Sequence, residues 1–173
     1  GFQLEIFEFE NPHSRPLPLD HCITAEGYNR LIIAVRSINH VVDAALSRGA
    51  SIQHRIDDEN TEWERHLVLA DPDGILLELV EAPVLLSSHC SARIVGLGLT
   101  TLDMTTAVQD FCDGFGFRPC EDRFDHAALW QRGGTLERIQ TLQLSDMYLV
   151  LSQYRNSRPL PLLSFSSQIA IVK

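Results

Sequence analysis

Residues 70–81 read ADPDGILLELVE, and the fold turns on how that stretch is understood. Asp71-Pro72-Asp73-Gly74 has the composition of a tight turn, with Pro setting φ and Gly closing the corner. The apolar run Ile75–Val80 that follows has the length and character of a buried strand. Glu78 stands in the middle of it. A carboxylate there is costly unless it is solvated, paired or bound to a cation.

Working outward, apolar periodicity places a strand at about 30–36 (RLIIAVR) and a helix at about 38–48. Ser37 is its N-cap by residue type; Ile38, Val41, Val42, Ala45 and Leu46 form its apolar stripe, and Gly49 stops it. Strands at about 51–56, 65–70 and 75–81 complete a β-α-β-β-β unit. The order returns in ARIVGLGLT (92–100), a helical stretch at 103–113, and strands at 117–123, 136–144 and 147–154. The glycines of GLGLT fall inside a strand rather than after one, so they are not a nucleotide-binding turn.

The two ends carry pieces of the same unit. GFQLEIFEFE superposes on GILLELVEAP, with Gly1 on Gly74, Glu5 on Glu78 and Glu8 on Glu81, and so reads as a last strand. SSQIAIVK at the other end resembles a first strand. SRPLPL occurs at 14–19 and again at 157–162, each time just after a last strand. Internal duplication follows: residues 1–19 as the last strand and linker of a truncated module, 20–86 and 87–156 as complete modules, and 157–173 as a linker and further first strand. Both ends look cut from something longer.

A β-α-β-β-β module closed by DPDG-x-x-x-E-L-x-E resembles the vicinal oxygen chelate superfamily, the group of glyoxalase I, methylmalonyl-CoA epimerase, extradiol dioxygenases and bleomycin resistance proteins. The phrases carrying the resemblance are ADPDGILLELVE, FQLEIFEFENPHSRPLP, TTLDMTTAVQDFCDGFGF and LQLSDMYLVLSQYRNSRPLP. The implied fold is α+β, with repeated modules forming curved mixed sheets and helices on the outer face. The implied activity is that of a divalent-metal-dependent lyase, isomerase or dioxygenase working on a small oxygenated metabolite in the cleft between paired modules. By resemblance Glu5 and Glu78 fall on last-strand metal positions of one pair. His66 lies on the strand just before the DPDG turn, where adjacent strands can set it beside Glu78 as a replacement ligand or general base; the alternative is a half-exposed strand residue facing solvent. Fe, Mn, Ni, Zn or Mg would suit such donors.

Other positions depart from that pattern. The first-strand ligand position falls on Arg30, which cannot ligate a metal and would pair with a carboxylate. Arg30 and Glu78 are therefore the candidate catalytic pair. In the other pair the corresponding positions fall on Gly96, Val150 and Gln168. The resemblance thus leaves two expectations: a metal between the glutamates, or Arg30 between them in a metal-free protein that binds or sequesters a small organic molecule. A structural part of a larger multi-module enzyme is a third.

Composition bounds the rest. At 173 residues, 45% apolar and 21% charged, with a net charge of −9, the chain has the balance of a soluble globular protein. Acidity without a Lys/Arg run argues against nucleic acid, and no apolar stretch is long enough to cross a bilayer. The four cysteines have no metal-like spacing, which fits a reducing cytoplasm. Dimerisation through half-modules is common by resemblance, so a homodimer is expected. Trp63 and Trp130 are candidate cleft walls, and Glu8 and Glu81 read as solvated strand ends.

Overall fold

The computed structural model describes residues 23–57, 65–121 and 134–157. The elements run β1 (Gly27–Val35), α1 (Ile38–Leu46), β2 (Ser51–Asp57), β3 (Arg65–Ala70) and β4 (Leu76–Glu81). After a 3-10 turn at Pro83–Leu85 come β5 (Ala92–Thr100), α2 (Met104–Gln109), β6 (Arg118–Pro119), β7 (Leu136–Leu144) and β8 (Met147–Tyr154). Among the described residues the eight strands lie in one mixed sheet of order β2-β3-β4-β1-β5-β8-β7-β6. Within each unit the first strand runs parallel to the last, β1 to β4 and β5 to β8, and the units join where β1 meets β5 antiparallel. The fold is α+β, a mixed sheet with helices, as the sequence implies.

The DPDG corner works as its composition suggests. Asp71 Oδ1 accepts from the backbone N–H of Asp73 (2.9 Å) and of Ile75 (2.8 Å), and Gly74 takes a positive φ of 86°. That conformation suits glycine, which has no Cβ to clash there. The corner sends β4 back along β3 with Ala70 opposite Leu76 and Val68 opposite Glu78.

Strand alternation sorts the side chains onto two faces. On one, Leu31, Val35, Leu67, Leu69, Leu79, Leu97, Leu142, Leu149 and Leu151 are buried against Ile38 and Val42 of α1 and Met104 of α2. Both helices therefore cover the same side of the sheet. On the other, Ile32, Ala34, Val80, Val95, Tyr148 and Val150 make a second apolar cluster across the β1·β5 seam.

The helix starts depart from expectation. Ser37 has the extended backbone of an N-cap but makes no side-chain capping bond. Instead Glu81, at the end of β4, accepts from the Ile38 N–H at 2.9 Å. Gln153, at the end of β8, does the same for the Met104 N–H at 3.1 Å. Each last strand thus reaches across to satisfy an otherwise orphaned donor of its own unit's helix. Glu81 is a half-buried cap, not a solvated strand end. Its carboxylate also sits favourably at the positive end of the helix.

Asp103 is the N-cap of α2 by its own side chain, accepting from Thr105 N, Thr106 N and Thr106 Oγ1. Those bonds, the Thr106 hydroxyl foremost, hold its carboxyl below the usual range. A carboxylate whose pKa is depressed by folding stabilises fully above the unfolded value and loses that contribution as pH falls through the folded one. Asp103→Ala is therefore expected to lower the melting temperature by a few degrees above about pH 4, the ordinary carboxylate range. The gap from the parent protein should close on acidification. Thermal denaturation followed by circular dichroism across pH checks both.

The second helix continues into a π-helical turn over Asp110–Gly114, so its chain path runs through most of the expected 103–113 stretch. The strand expected over 117–123 shortens to Arg118–Pro119. Pro119 has no N–H to extend a ladder. Cys90, Cys112 and Cys120 are free thiols. Among the described residues no helix is long and apolar enough to cross a membrane.

Candidate functional site

Arg30 projects from β1 on the face away from the helices, and so does Glu78 from β4. In the parallel β1·β4 register Glu78 stands beside Ile32, two residues beyond Arg30. In the β5·β8 register Val150 stands beside Gly98, two residues beyond Gly96. The two units therefore offer equivalent pairs at the seam: Arg30 with Glu78, and Gly96 with Val150. Only the first pair is charged.

The Arg30 guanidinium closes directly on Glu78, with Nε 2.9 Å from Oε2 and both side chains 0% exposed. Its Nη1 also donates to Asn29 Oδ1 at 3.1 Å. Asn29 is itself fixed: its Nδ2 donates to the Ile23 carbonyl (3.0 Å) and to Thr100 Oγ1 (2.8 Å). Thr100 Oγ1 in turn donates to the Ile23 carbonyl. The cation is thus oriented by a buried network rather than left to sample rotamers.

Room for that side chain comes from β5. Gly98 is the Cα partner of Arg30 across the seam. A Cβ added there would overlap Arg30 Nη1 and Cζ and come 2.5 Å from its Cγ. A Cβ on Gly96 would lie 2.5 Å from the Tyr148 carbonyl oxygen. Glycine in GLGLT is thus a steric requirement, set in one case by Arg30 and in the other by the β8 backbone.

His66, on β3, is buried and on the same face. Its Nδ1 lies 3.6 Å from Glu78 Oε1, too long for a hydrogen bond but close enough for an ion pair when the ring is protonated. Thr141 on β7 and Ser152 on β8 are also buried there. The Ser152 Oγ has no hydrogen-bond partner among the described residues. Sequence reasoning missed Asn29, Gly98, Thr141 and Ser152. Gly98 carried a signal, a glycine in a strand interior, which marks close approach by another group.

Of the residues singled out from sequence, Arg30, Glu78 and His66 come together. Glu5, Glu8, Trp63, Trp130 and Gln168 lie outside the described residues. The unit bearing Glu78 shares its sheet with the 87–156 unit, whereas the sequence had set those two in separate pairs. The Gly96 and Val150 positions thus face the same seam as Arg30 and Glu78.

A divalent ion fits this donor set poorly. Among the described residues Glu78 and His66 are the ligand types at hand, one Glu78 oxygen is held by a guanidinium, and Gly96 and Val150 offer no ligand. Among the described residues no group of three or more His, Cys, Asp or Glu is placed to hold a metal.

No protein-family model matches the sequence, and no curated protein is similar to it. Solved structures do resemble it. Maize (Zea mays) glyoxalase I matches with a TM-score of 0.51 at 14% identity, over 76% of this chain and 44% of that one. A glutamate-to-glutamine mutant of the same maize enzyme matches with a TM-score of 0.53 at 14% identity, over 76% and 45%. A hypothetical protein from Bacillus halodurans C-125 matches with a TM-score of 0.51 at 11% identity, over 76% and 96%. The chain spans less than half the length of the maize structures it matches. With an eight-stranded mixed sheet and two helices on one side among the described residues, and these matches, the chain has a glyoxalase-like fold.

Proposed function

We propose that this chain binds a small oxygenated organic molecule against the sheet face that carries Arg30, Glu78, His66, Thr141 and Ser152. The observation that carries this reading is the set of buried polar side chains that this face holds beside its apolar cluster. The helix side of the same sheet is filled with leucine and valine, which shows what the strands use when packing is the only demand. Polar groups on the other side cost free energy unless they are satisfied. The Ser152 Oγ, buried and without a hydrogen-bond partner among the described residues, suits a ligand oxygen. A cytoplasmic setting accords with the free thiols.

The divalent-metal-dependent lyase, isomerase or dioxygenase implied by resemblance is the second reading. The approach of His66 Nδ1 to Glu78 Oε1 favours it, and the donor set weighs against it. Calorimetry and NMR titration with a panel of 2-oxo acids, 2-hydroxy acids and catechols, with and without EDTA, separates the two. Binding that survives EDTA, perturbs the Thr141 and Ser152 amides and weakens about 5- to 10-fold in Ser152→Ala is expected. Binding lost in EDTA and restored by a divalent ion supports the metal-dependent enzyme. Absence of any panel compound from this face overturns the first reading.

A further inference from the structure

We infer that Arg30 is a built-in cation for Glu78, that Gly98 is the residue that admits it, and that the pair keeps divalent metal out of this seam. The inference is independent of what the face binds. Three observations converge. Arg30 Nε lies 2.9 Å from Glu78 Oε2 with neither side chain exposed, so one carboxylate oxygen already faces a permanent positive charge. The guanidinium is held in place from the side by Asn29 Oδ1, which is tied through Thr100 to the Ile23 carbonyl. Finally, the volume it fills exists only because position 98 lacks a side chain.

A metal ion bonded to Glu78 would have to stand next to that guanidinium, in a buried place where like charges are poorly screened. The second unit is consistent with a seam that does without metal. Its equivalent positions, Gly96 and Val150, have no donor, so only the Arg30–Glu78 corner could hold an ion among these four.

The test is metal uptake, read without any activity. Zn²⁺, Ni²⁺ and Mn²⁺ are titrated by calorimetry into the purified, EDTA-treated and dialysed chain, and bound metal is measured by mass spectrometry. The parent protein is expected to take up no ion in a Glu78-dependent manner. Arg30→His removes the cation and sets an imidazole beside Glu78 and His66, so it is expected to gain stoichiometric Ni²⁺ or Zn²⁺ binding that a further Glu78→Gln abolishes. Metal bound by the parent and lost in Glu78→Gln overturns the inference, as does a folded Arg30→His that binds nothing. Should Arg30→His fail to fold, the Arg30 Nε–Hε signal of the parent decides. A slowly exchanging resonance unmoved by added divalent ions upholds the built-in cation, and one displaced by them overturns it.

Discussion

Arg30→Met is expected to destabilise the fold by about 3–5 kcal/mol, the cost of leaving a buried charge uncompensated. Glu78 is 0% exposed and takes its Nε hydrogen bond from Arg30 at 2.9 Å. With the guanidinium gone, the carboxylate keeps its burial and loses the cation bonded to it. His66 Nδ1, at 3.6 Å from the other oxygen, is too far to replace that bond without movement. Removing both partners should cost far less. In Arg30→Met/Glu78→Met neither charge needs solvation, and substituting a buried ion pair by apolar residues of similar volume is often neutral or stabilising. Urea unfolding of the parent, both single variants and the double variant measures the coupling. Single variants within about 1 kcal/mol of the parent would mean that the pair is not desolvated, in which case exposed ion-pair energetics would apply.

Alanine at the two β5 glycines is expected to destabilise for different reasons, which a second background separates. At Gly98 the new Cβ meets the Arg30 side chain. An arginine on the surface would swing aside, but this one is buried and bonded to Glu78 and Asn29. Overpacking of that kind costs about 1–3 kcal/mol. At Gly96 the new Cβ meets the Tyr148 carbonyl oxygen at 2.5 Å, which belongs to the neighbouring strand and cannot rotate away. Gly96→Ala should therefore cost more, by parting β5 from β8. In an Arg30→Ala/Glu78→Leu background the Gly98→Ala penalty should largely vanish while that of Gly96→Ala persists. Residues in contact commonly couple by about 0.5–3 kcal/mol, well within what chemical denaturation resolves. Equal penalties in both backgrounds would refute the assignment of Gly98 to Arg30.

Together these variants distinguish two uses of one stretch of strand. Gly96 serves the sheet, by letting β8 approach. Gly98 serves the site, by letting a cation lie across the seam. Both look the same in GLGLT, because a glycine in a strand announces close approach without saying what approaches.

The same divide runs through the whole chain. The order of helices and strands, the duplication of the β-α-β-β-β unit and the DPDG corner are local or repeated features, and spacing along the sequence was enough to find them. So was the misfit of Glu78, because one carboxylate in an apolar run violates an alternation that neighbouring residues define. What local spacing could not supply was which strand lies beside which. The antiparallel β1·β5 seam joins the two complete units into one sheet, and no periodicity within either strand encodes that pairing. Only the seam brings Gly98 under Arg30 and lays the Gly96 and Val150 positions on the same face as Arg30 and Glu78. Only packing of the last strands against the helix starts turned Glu81 from a strand end into a cap. The question posed by ADPDGILLELVE was whether Glu78 is solvated, paired or metal-bound. The sequence raised it and named Arg30 as a rival to the metal; the tertiary structure set that arginine on the carboxylate, because a contact across 48 residues depends on sheet register and not on local pattern.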